Sequence, residues 1–304
     1  MINGILIIDK EKGYTSHDVV AKLRGMIGQR KIGHTGTLDP EATGVLPVCL
    51  GKATKVCGLL TDKEKVYETE LLLGVSYDTQ DTTGMLLKER DISALTEAQV
   101  QGVIMSYLGT YAQVPPMYSA LKVNGKKLYE LAREGVTVER KAREVNIYEI
   151  DILAMNLPRV SLRIRCSKGT YIRTLCHDIG EDLGVGGAMN TLRRTAVADF
   201  TLADSIRLGE LARLIDEGHL EKRIIPIDRV FDRYPAGVVK REFESLAYNG
   251  NKLTFAEASI DPVQVGERVR LYNEDGEFIG LYEEDKQRLK VHKMFYDSEA
   301  KRED

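Results

Sequence analysis

The chain has 304 residues, 43% of them hydrophobic, which suits one large domain or two domains with a real core. Its formal net charge of -3 and sequence pI near 6.1 speak against a uniformly basic nucleic-acid binder. No apolar run approaches the ~20 residues a membrane helix needs, and Met1-Ile2-Asn3-Gly4 opens without a basic stretch leading an apolar signal, so a cytoplasmic protein is expected. Cys49, Cys57, Cys166 and Cys176 form no C-x-x-C pair and the five histidines are scattered, so neither a disulfide framework nor a zinc site is expected.

Gly4 to Asp9 is a short apolar run that reads as a buried strand. Ser16 is a candidate N-cap for a helix whose stripe is Val19, Val20, Leu23, Met26 and Ile27, stopped by Gly28. Next comes Gly33-His34-Thr35-Gly36-Thr37-Leu38-Asp39-Pro40-Glu41-Ala42-Thr43-Gly44, where three glycines and a proline force tight turns and small threonines leave room for an approaching group. Pro40 disfavours helix at the residue before it, so Asp39 presents its carboxylate from a loop. There it either caps its own turn or serves as nucleophile, base or ligand. Val45 to Leu50 is strand-like, with Pro47 suggesting a bulge or an edge, and Ala53 to Leu60 is a short helix.

Lys65 to Val75 alternates and places Tyr67, Thr69, Leu71, Leu73 and Val75 on one face of a strand. Asp78 to Gly84 is a polar turn, and Thr96-Glu97-Ala98-Gln99 is a capping box for a helix with the stripe Val100, Val103, Ile104, Tyr107 and Leu108, closed by Gly109. Asn124-Gly125 reads as a tight turn inside a basic stretch: Lys122 to Arg143 holds seven basic residues against three acidic ones. That surplus fits either phosphate binding or a solvated helix face. Arg159 to Ser167 is a half-buried strand with Val160, Leu162, Ile164 and Cys166 inward. Ile172, Leu175, Cys176, Ile179 and Leu183 then take helical spacing up to Gly184, so Tyr171 and Arg173 sit where strand hands over to helix. By spacing alone Leu192 is a core residue. Leu208 to Glu217 is a further helix, Ile224 to Tyr234 a linker, and Arg268 to Tyr282 a β-hairpin turning at Asn273-Glu274-Asp275-Gly276.

The glycine-rich run with the Leu46-Pro47 step, Lys65-Val66-Tyr67, the Pro116-Met117-Tyr118-Ser119-Ala120 stretch with its following lysines, Ser167-Lys168-Gly169-Thr170-Tyr171-Ile172-Arg173 and Leu192-Arg193-Arg194 together resemble the bacterial TruB-type tRNA pseudouridine-55 synthases. The resemblance covers most of residues 2 to 200. It implies a mixed α/β (α+β) pseudouridine-synthase fold around a largely antiparallel sheet, in residues 1–231. A small β-rich PUA-like RNA-binding domain follows in residues 232–304. One departure is Glu11, where the family has proline, which affects the stiffness of the first loop.

By the same resemblance Asp39 is the catalytic carboxylate and Arg173 pairs with it, holding it ionised and oriented. Tyr67 packs on the target base and takes the late proton. His34, Tyr171, Leu192 and Lys55 contact the substrate, while Lys122, Lys126 and Lys127 meet RNA phosphates. The implied partner is the T-arm of tRNA, acted on by a monomer without cofactor or metal. A second reading keeps the pocket for binding only, in a tRNA-binding or RNA-folding protein. A third, an aspartyl-phosphate enzyme, lacks Mg²⁺-binding carboxylates at recognisable spacing.

Overall fold

The computed structural model describes residues 1–123 and 125–296. Asn124 of the expected tight turn lies outside the described residues, as does the end of the expected C-terminal unit, 297–304.

Strand β1 (Gly4–Lys10) leads into helix α1 (Ser16–Ile27), then β2 (Ile32–His34) and β3 (Thr43–Leu50). The cap of α1 is Thr15, not Ser16: its hydroxyl accepts from the Asp18 N–H and the Asp18 carboxylate accepts in return. Gly28 ends the helix in the left-handed conformation, as expected. The stretch expected as one helix from Ala53 is a 3-10 turn (Gly51–Val56) followed by α2 (Cys57–Thr61).

β4 (Lys65–Leu73) stops at Gly74, whose φ of +85° breaks the expected longer strand and starts a small hairpin of β5 (Val75–Tyr77) and β6 (Leu86–Glu89). Helix α3 (Glu97–Ser106) carries the expected capping box, but Leu108 is exposed because the helix has ended before it. Strand β7 (Gly109–Gln113), the two-residue pair β8 (Lys122–Val123) and β9 (Lys126–Lys127), and helix α4 (Leu128–Arg133) follow.

β10 (Arg143–Asn156) and β11 (Arg159–Cys166) lead to α5 (Ile172–Asp182), β12 (Gly187–Val197), β13 (Phe200–Thr201) and α6 (Leu208–Asp216). The C-terminal part holds β14 (Ala236–Val238), α7 (Glu244–Tyr248) and the strands β15 (Arg268–Tyr272), β16 (Phe278–Glu284) and β17 (Leu289–Met294).

Among the described residues the main sheet has nine strands, ordered β1-β3-β12-β4-β11-β10-β7, with β2 added to β3 and β13 to β12. All its pairings are antiparallel except β3 with β12, so the sheet is mixed and largely antiparallel, as expected. α3 and α5 bury one face of β4, β10 and β11 through Val100, Ile104, Leu162, Ile164, Leu175 and Ile179. Helices α1 and α6 cover β1 and β3.

Pro47 is neither at an edge nor at a bulge. It pairs in register with Ile7 of β1, and its carbonyl, like that of Val45, points to the other side, where Thr35 and Arg194 donate to them. On that side β3 changes neighbour, from β2 at residues 48–50 to β12 at residues 43–44, so the missing N–H of Pro47 falls in the gap between two ladders.

The second, four-stranded sheet is ordered β14-β15-β16-β17. The segment expected as a linker is not a free connection: Phe231 is 2% exposed and sits against Tyr234, Phe278 and Phe295. Those aromatics join Ile5, Val45 and Val56 in one cluster, which docks the C-terminal unit onto the main sheet.

Candidate active site

The loop between β2 and β3 is held from four directions. The Ser16 hydroxyl, free because Thr15 does the capping, accepts from the Leu38 N–H at 2.9 Å. The Gly13 N–H donates to the Pro40 carbonyl at 2.9 Å, and the Lys10 ammonium donates to the same carbonyl at 3.0 Å. Thr35 is tied to Pro47 of β3, and the Ala42 N–H closes a turn on the Asp39 carbonyl at 3.1 Å. The loop backbone is thus fixed while the Asp39 side chain stays 42% exposed. Lys10 itself is fully buried and also donates to the carbonyls of Tyr14 and Glu11; burial pushes its amine down to about 8.

Arg173 comes to Asp39 from the first turn of α5. Its Nη1 stands 3.1 Å from Asp39 Oδ2 and 3.6 Å from Asp81 Oδ2, and its Nη2 donates to the Tyr118 carbonyl at 2.7 Å. The helix start is set by Gln113, whose side-chain amide donates to the Tyr171 carbonyl at 3.0 Å and accepts from the Tyr171 N–H at 2.8 Å. That pair of hydrogen bonds fixes the Tyr171 backbone; its ring lies 5.8 Å from the Arg173 guanidinium and its phenol is pushed up by burial. Asp81 is buried and accepts from the Thr79 hydroxyl and the Thr83 N–H. A turn expected only to be polar therefore supplies a second carboxylate to the same guanidinium.

Tyr67 of β4 and Arg194 of β12 are cross-strand partners, with Leu192 two residues along on the same face beside Thr69. Tyr67 and Leu192 are half-buried against the α5 side of the core. Burial pushes the Tyr67 phenol up, and Asp39 is close enough to add to that rise. His34 Nδ1 accepts from the Gly36 N–H at 3.3 Å and its ring stands edge-on to His17 at 5.1 Å. Burial, reinforced by His17 and Arg194, lowers the His34 pKa, so the ring is neutral at neutral pH.

The structure brings Asp39, Arg173, Tyr67, Tyr171, His34 and Leu192 around one loop. The four lysines are carried by other segments. Lys55 is exposed and donates to the Met294 carbonyl at 2.8 Å, on the side of the C-terminal unit. Lys122 and Lys127 pair in register across β8 and β9; Lys127 bonds the Tyr129 hydroxyl and Lys126 stands 3.5 Å from Glu134. Residues that sequence reasoning left without a part in the site are Lys10, Asp81, Gln113, Arg194 and Ser16, the last expected only to cap a helix. Arg194 carried the clearest signal, since it lies inside a quoted motif, but nothing in spacing distinguishes it from Arg193, which faces Asp9 at 3.0 Å.

A carboxylate held beside a buried guanidinium, with aromatic walls, suits chemistry on a flat ring attached to a sugar. Residues 24–172 match the family described as TruB family pseudouridylate synthase (N terminal domain), and residues 173–232 match the tRNA pseudouridylate synthase B C-terminal domain. The chain belongs to the TruB pseudouridylate synthase family. It is 49% identical over 300 residues to tRNA pseudouridine synthase B of Lachnoclostridium phytofermentans, covering 94% of this chain and 97% of that one. To the enzyme of the same name in Clostridium tetani it is 42% identical over 293 residues, covering 96% and 99%.

Among solved structures it is similar to an H/ACA RNP bound to a substrate RNA containing 2′-deoxyuridine, with TM-score 0.73, 25% identity and coverage of 97% and 86%. A Cbf5-Nop10-Gar1 complex gives 0.72, 27%, 96% and 85%. The fold is the pseudouridine-synthase fold, and the C-terminal β unit fits a PUA-like one. Family membership makes the chain an enzyme, an isomerase of the tRNA pseudouridine synthase class.

Proposed function

We propose that this chain converts uridine 55 in the T-arm of tRNA to pseudouridine, with Asp39, Arg173 and Tyr67 as its catalytic residues. The observation that carries the residue assignment is the Asp39–Arg173 pair at 3.1 Å, half-open on the carboxylate side and buried on the guanidinium side. The reaction breaks the N1–C1′ bond, turns the freed base, joins C5 to C1′ and moves one proton from C5 to N1. Atoms and electrons balance within the substrate, so no step needs a redox group or an energy source.

Asp39 acts on the sugar or the base: attack at C1′, attack on the ring, and removal of a sugar proton all suit its position. Arg173 keeps it ionised and aimed. Extruding a paired or stacked uridine costs a few kcal/mol, and aromatic stacking returns about 1–3 kcal/mol per base. Tyr67, with Tyr171, His34 and Leu192 at the pocket, supplies that return, and Tyr67 also takes the C5 proton. Lys122, Lys126 and Lys127 on the short β8–β9 pair meet phosphates, as does Lys55 near the C-terminal unit. Residues 1–231 form the catalytic domain, and residues 232–304 form a PUA-like RNA-binding domain. The enzyme acts as a monomer in the cytoplasm.

Tritium release from tRNA labelled at uridine C5 tests the reading, with position 55 checked by chemical mapping of pseudouridine. Release at that position by the wild type, lost in Asp39→Asn while tRNA binding persists, is the expected result. Binding without release by the wild type would leave an RNA-binding protein in its place.

A further inference from the structure

The proposed chemistry gives no task to Arg194, yet the fold buries it and ties it to the loop. Its residue is 1% exposed. Its Nε donates to the Val45 carbonyl at 2.7 Å and its Nη2 to the Gly36 carbonyl at 3.3 Å, so one side chain joins β12, β3 and the Asp39 loop. Tyr67 is its cross-strand partner on β4, close enough for the guanidinium and the phenol to influence each other's proton affinity. Arg193, next in the chain, has the ordinary arrangement, an ion pair with Asp9.

A buried guanidinium facing a phenol rather than a carboxylate is an expensive arrangement, because a buried charge is normally matched by an opposite one. Burial lowers the pKa of Arg194 and raises that of Tyr67, and each group draws the other's value part of the way back. Loss of the phenol proton would give the buried guanidinium the opposite charge it lacks. Direction matters as well. Arginine has only donors, so in a hydrogen bond between the two the Tyr67 oxygen is the acceptor and the phenol's own O–H points elsewhere.

We propose that Arg194 is a positioning residue for the last step, holding the Tyr67 oxygen as the acceptor of the C5 proton. This rests on the assignment of that proton transfer to Tyr67. Tyr67 first loses its own proton to solvent. In the step itself the C5–H bond breaks, its electron pair restores the C5–C6 double bond, and the proton passes to the phenolate that Arg194 holds. N1 takes its proton from solvent, so protons and charge balance over the cycle.

The test is single-turnover tritium release from C5-labelled tRNA, read against pH. Variants are Arg194→Met, Arg194→Gln, Arg194→Lys and Tyr67→Phe, with Arg194→Met and Arg194→Gln also made in the Tyr67→Phe background. Tyr67 faces Arg194, Cys166 and Asp39, and Arg194 in turn influences Lys10, Lys65 and His34; all except the replaced residues are common to every variant compared.

Removing the charge is expected to slow release by about tenfold or more near neutral pH, with half-saturating tRNA unchanged and the deficit shrinking only above the ordinary phenol range. Arg194→Lys restores most of the rate, and neither neutral variant has a further effect once Tyr67 is replaced. Arg194→Gln, which keeps amide donors for the two carbonyls, decides the matter if Arg194→Met does not fold. If neither neutral variant folds, Arg194→Lys must still keep a Tyr67-dependent pH profile. An equal loss with and without Tyr67, or one that does not change with pH, overturns the role of Arg194. Full release by Tyr67→Phe would instead remove the prior assignment of Tyr67.

Discussion

Arg173 serves two carboxylates at once, standing 3.1 Å from Asp39 and 3.6 Å from Asp81. The two acids differ in freedom. Asp81 is buried and tied down by Thr79 and Thr83, whereas Asp39 is 42% exposed on a loop whose backbone, not its side chain, is fixed. The arrangement pins the cation from one side and leaves the other carboxylate open to a substrate. Asp39→Asn should therefore lower tritium release by more than about a thousandfold, as expected for loss of a reacting group. Its half-exposed position makes the stability change less than about 1 kcal/mol. Urea unfolding alongside the release assay checks both, and a fall in stability matching the fall in activity would count against a chemical role.

Asp81→Asn should leave folding largely intact while loosening Arg173. Losing one charged acceptor in a buried network costs about 1–3 kcal/mol, and release should fall by about tenfold through misplacement of the guanidinium. Activity and stability both at wild-type levels would show that Asp39 alone holds Arg173.

Lys10 predicts a pH dependence whose sign follows from burial. In the folded protein its amine gives up its proton from about 8 upward, against the ordinary 10.5 of a free lysine side chain. Between those values the unfolded chain binds the additional proton, so the stability attributable to Lys10 rises with pH. The wild type should gain stability relative to Lys10→Met from pH 8 towards 10.5, measured by urea titration across that window. Activity should move the other way: the ammonium donates to the carbonyls of Glu11, Tyr14 and Pro40, and the neutral amine has one donor fewer to hold the Asp39–Pro40 turn. A stability difference that is flat with pH would mean that the buried amine keeps its ordinary proton affinity.

Gly44→Ala should be among the more damaging changes to a residue with no chemistry. Gly44 has φ +103°, and a Cβ there would lie 2.1 Å from the Arg194 carbonyl oxygen at the parallel pairing of β3 with β12. Backbone stands on both sides of the clash, so the strands must part. A loss of about 3 kcal/mol or more is expected, together with lower activity as the Arg194 contacts to Val45 and Gly36 shift. Unchanged thermal unfolding would refute that close approach.

Local chemistry carried much of the fold into the sequence. Thr96 and Gln99 form the capping box their spacing announces, Gly28 stops α1, and the alternation from Arg159 appears as β11 with Val160, Leu162, Ile164 and Cys166 inward. β10, the fourteen-residue strand Arg143–Asn156, shows no such alternation, because exposed apolar groups, Tyr148 and Leu153, interrupt its polar face. β12 was hidden for a different reason: with β4 on one side and β3 on the other, it buries an arginine where a strand pattern would place an apolar residue.

The chain order alone determined the turns, the caps, the half-buried strands, and the presence of an aspartate in a glycine-rich bend with an arginine far downstream. Only the tertiary structure decided which charges meet. Asp81 in a polar turn, Lys10 at a strand end and Arg194 in a central strand reach the same loop because the sheet places β1, β3, β12 and β4 side by side. Partners so distant in sequence leave no periodic trace, and the relations that build this site, Gln113 bonded to Tyr171, Arg173 paired with Asp39 and Arg194 opposite Tyr67 across the sheet, are all of that kind.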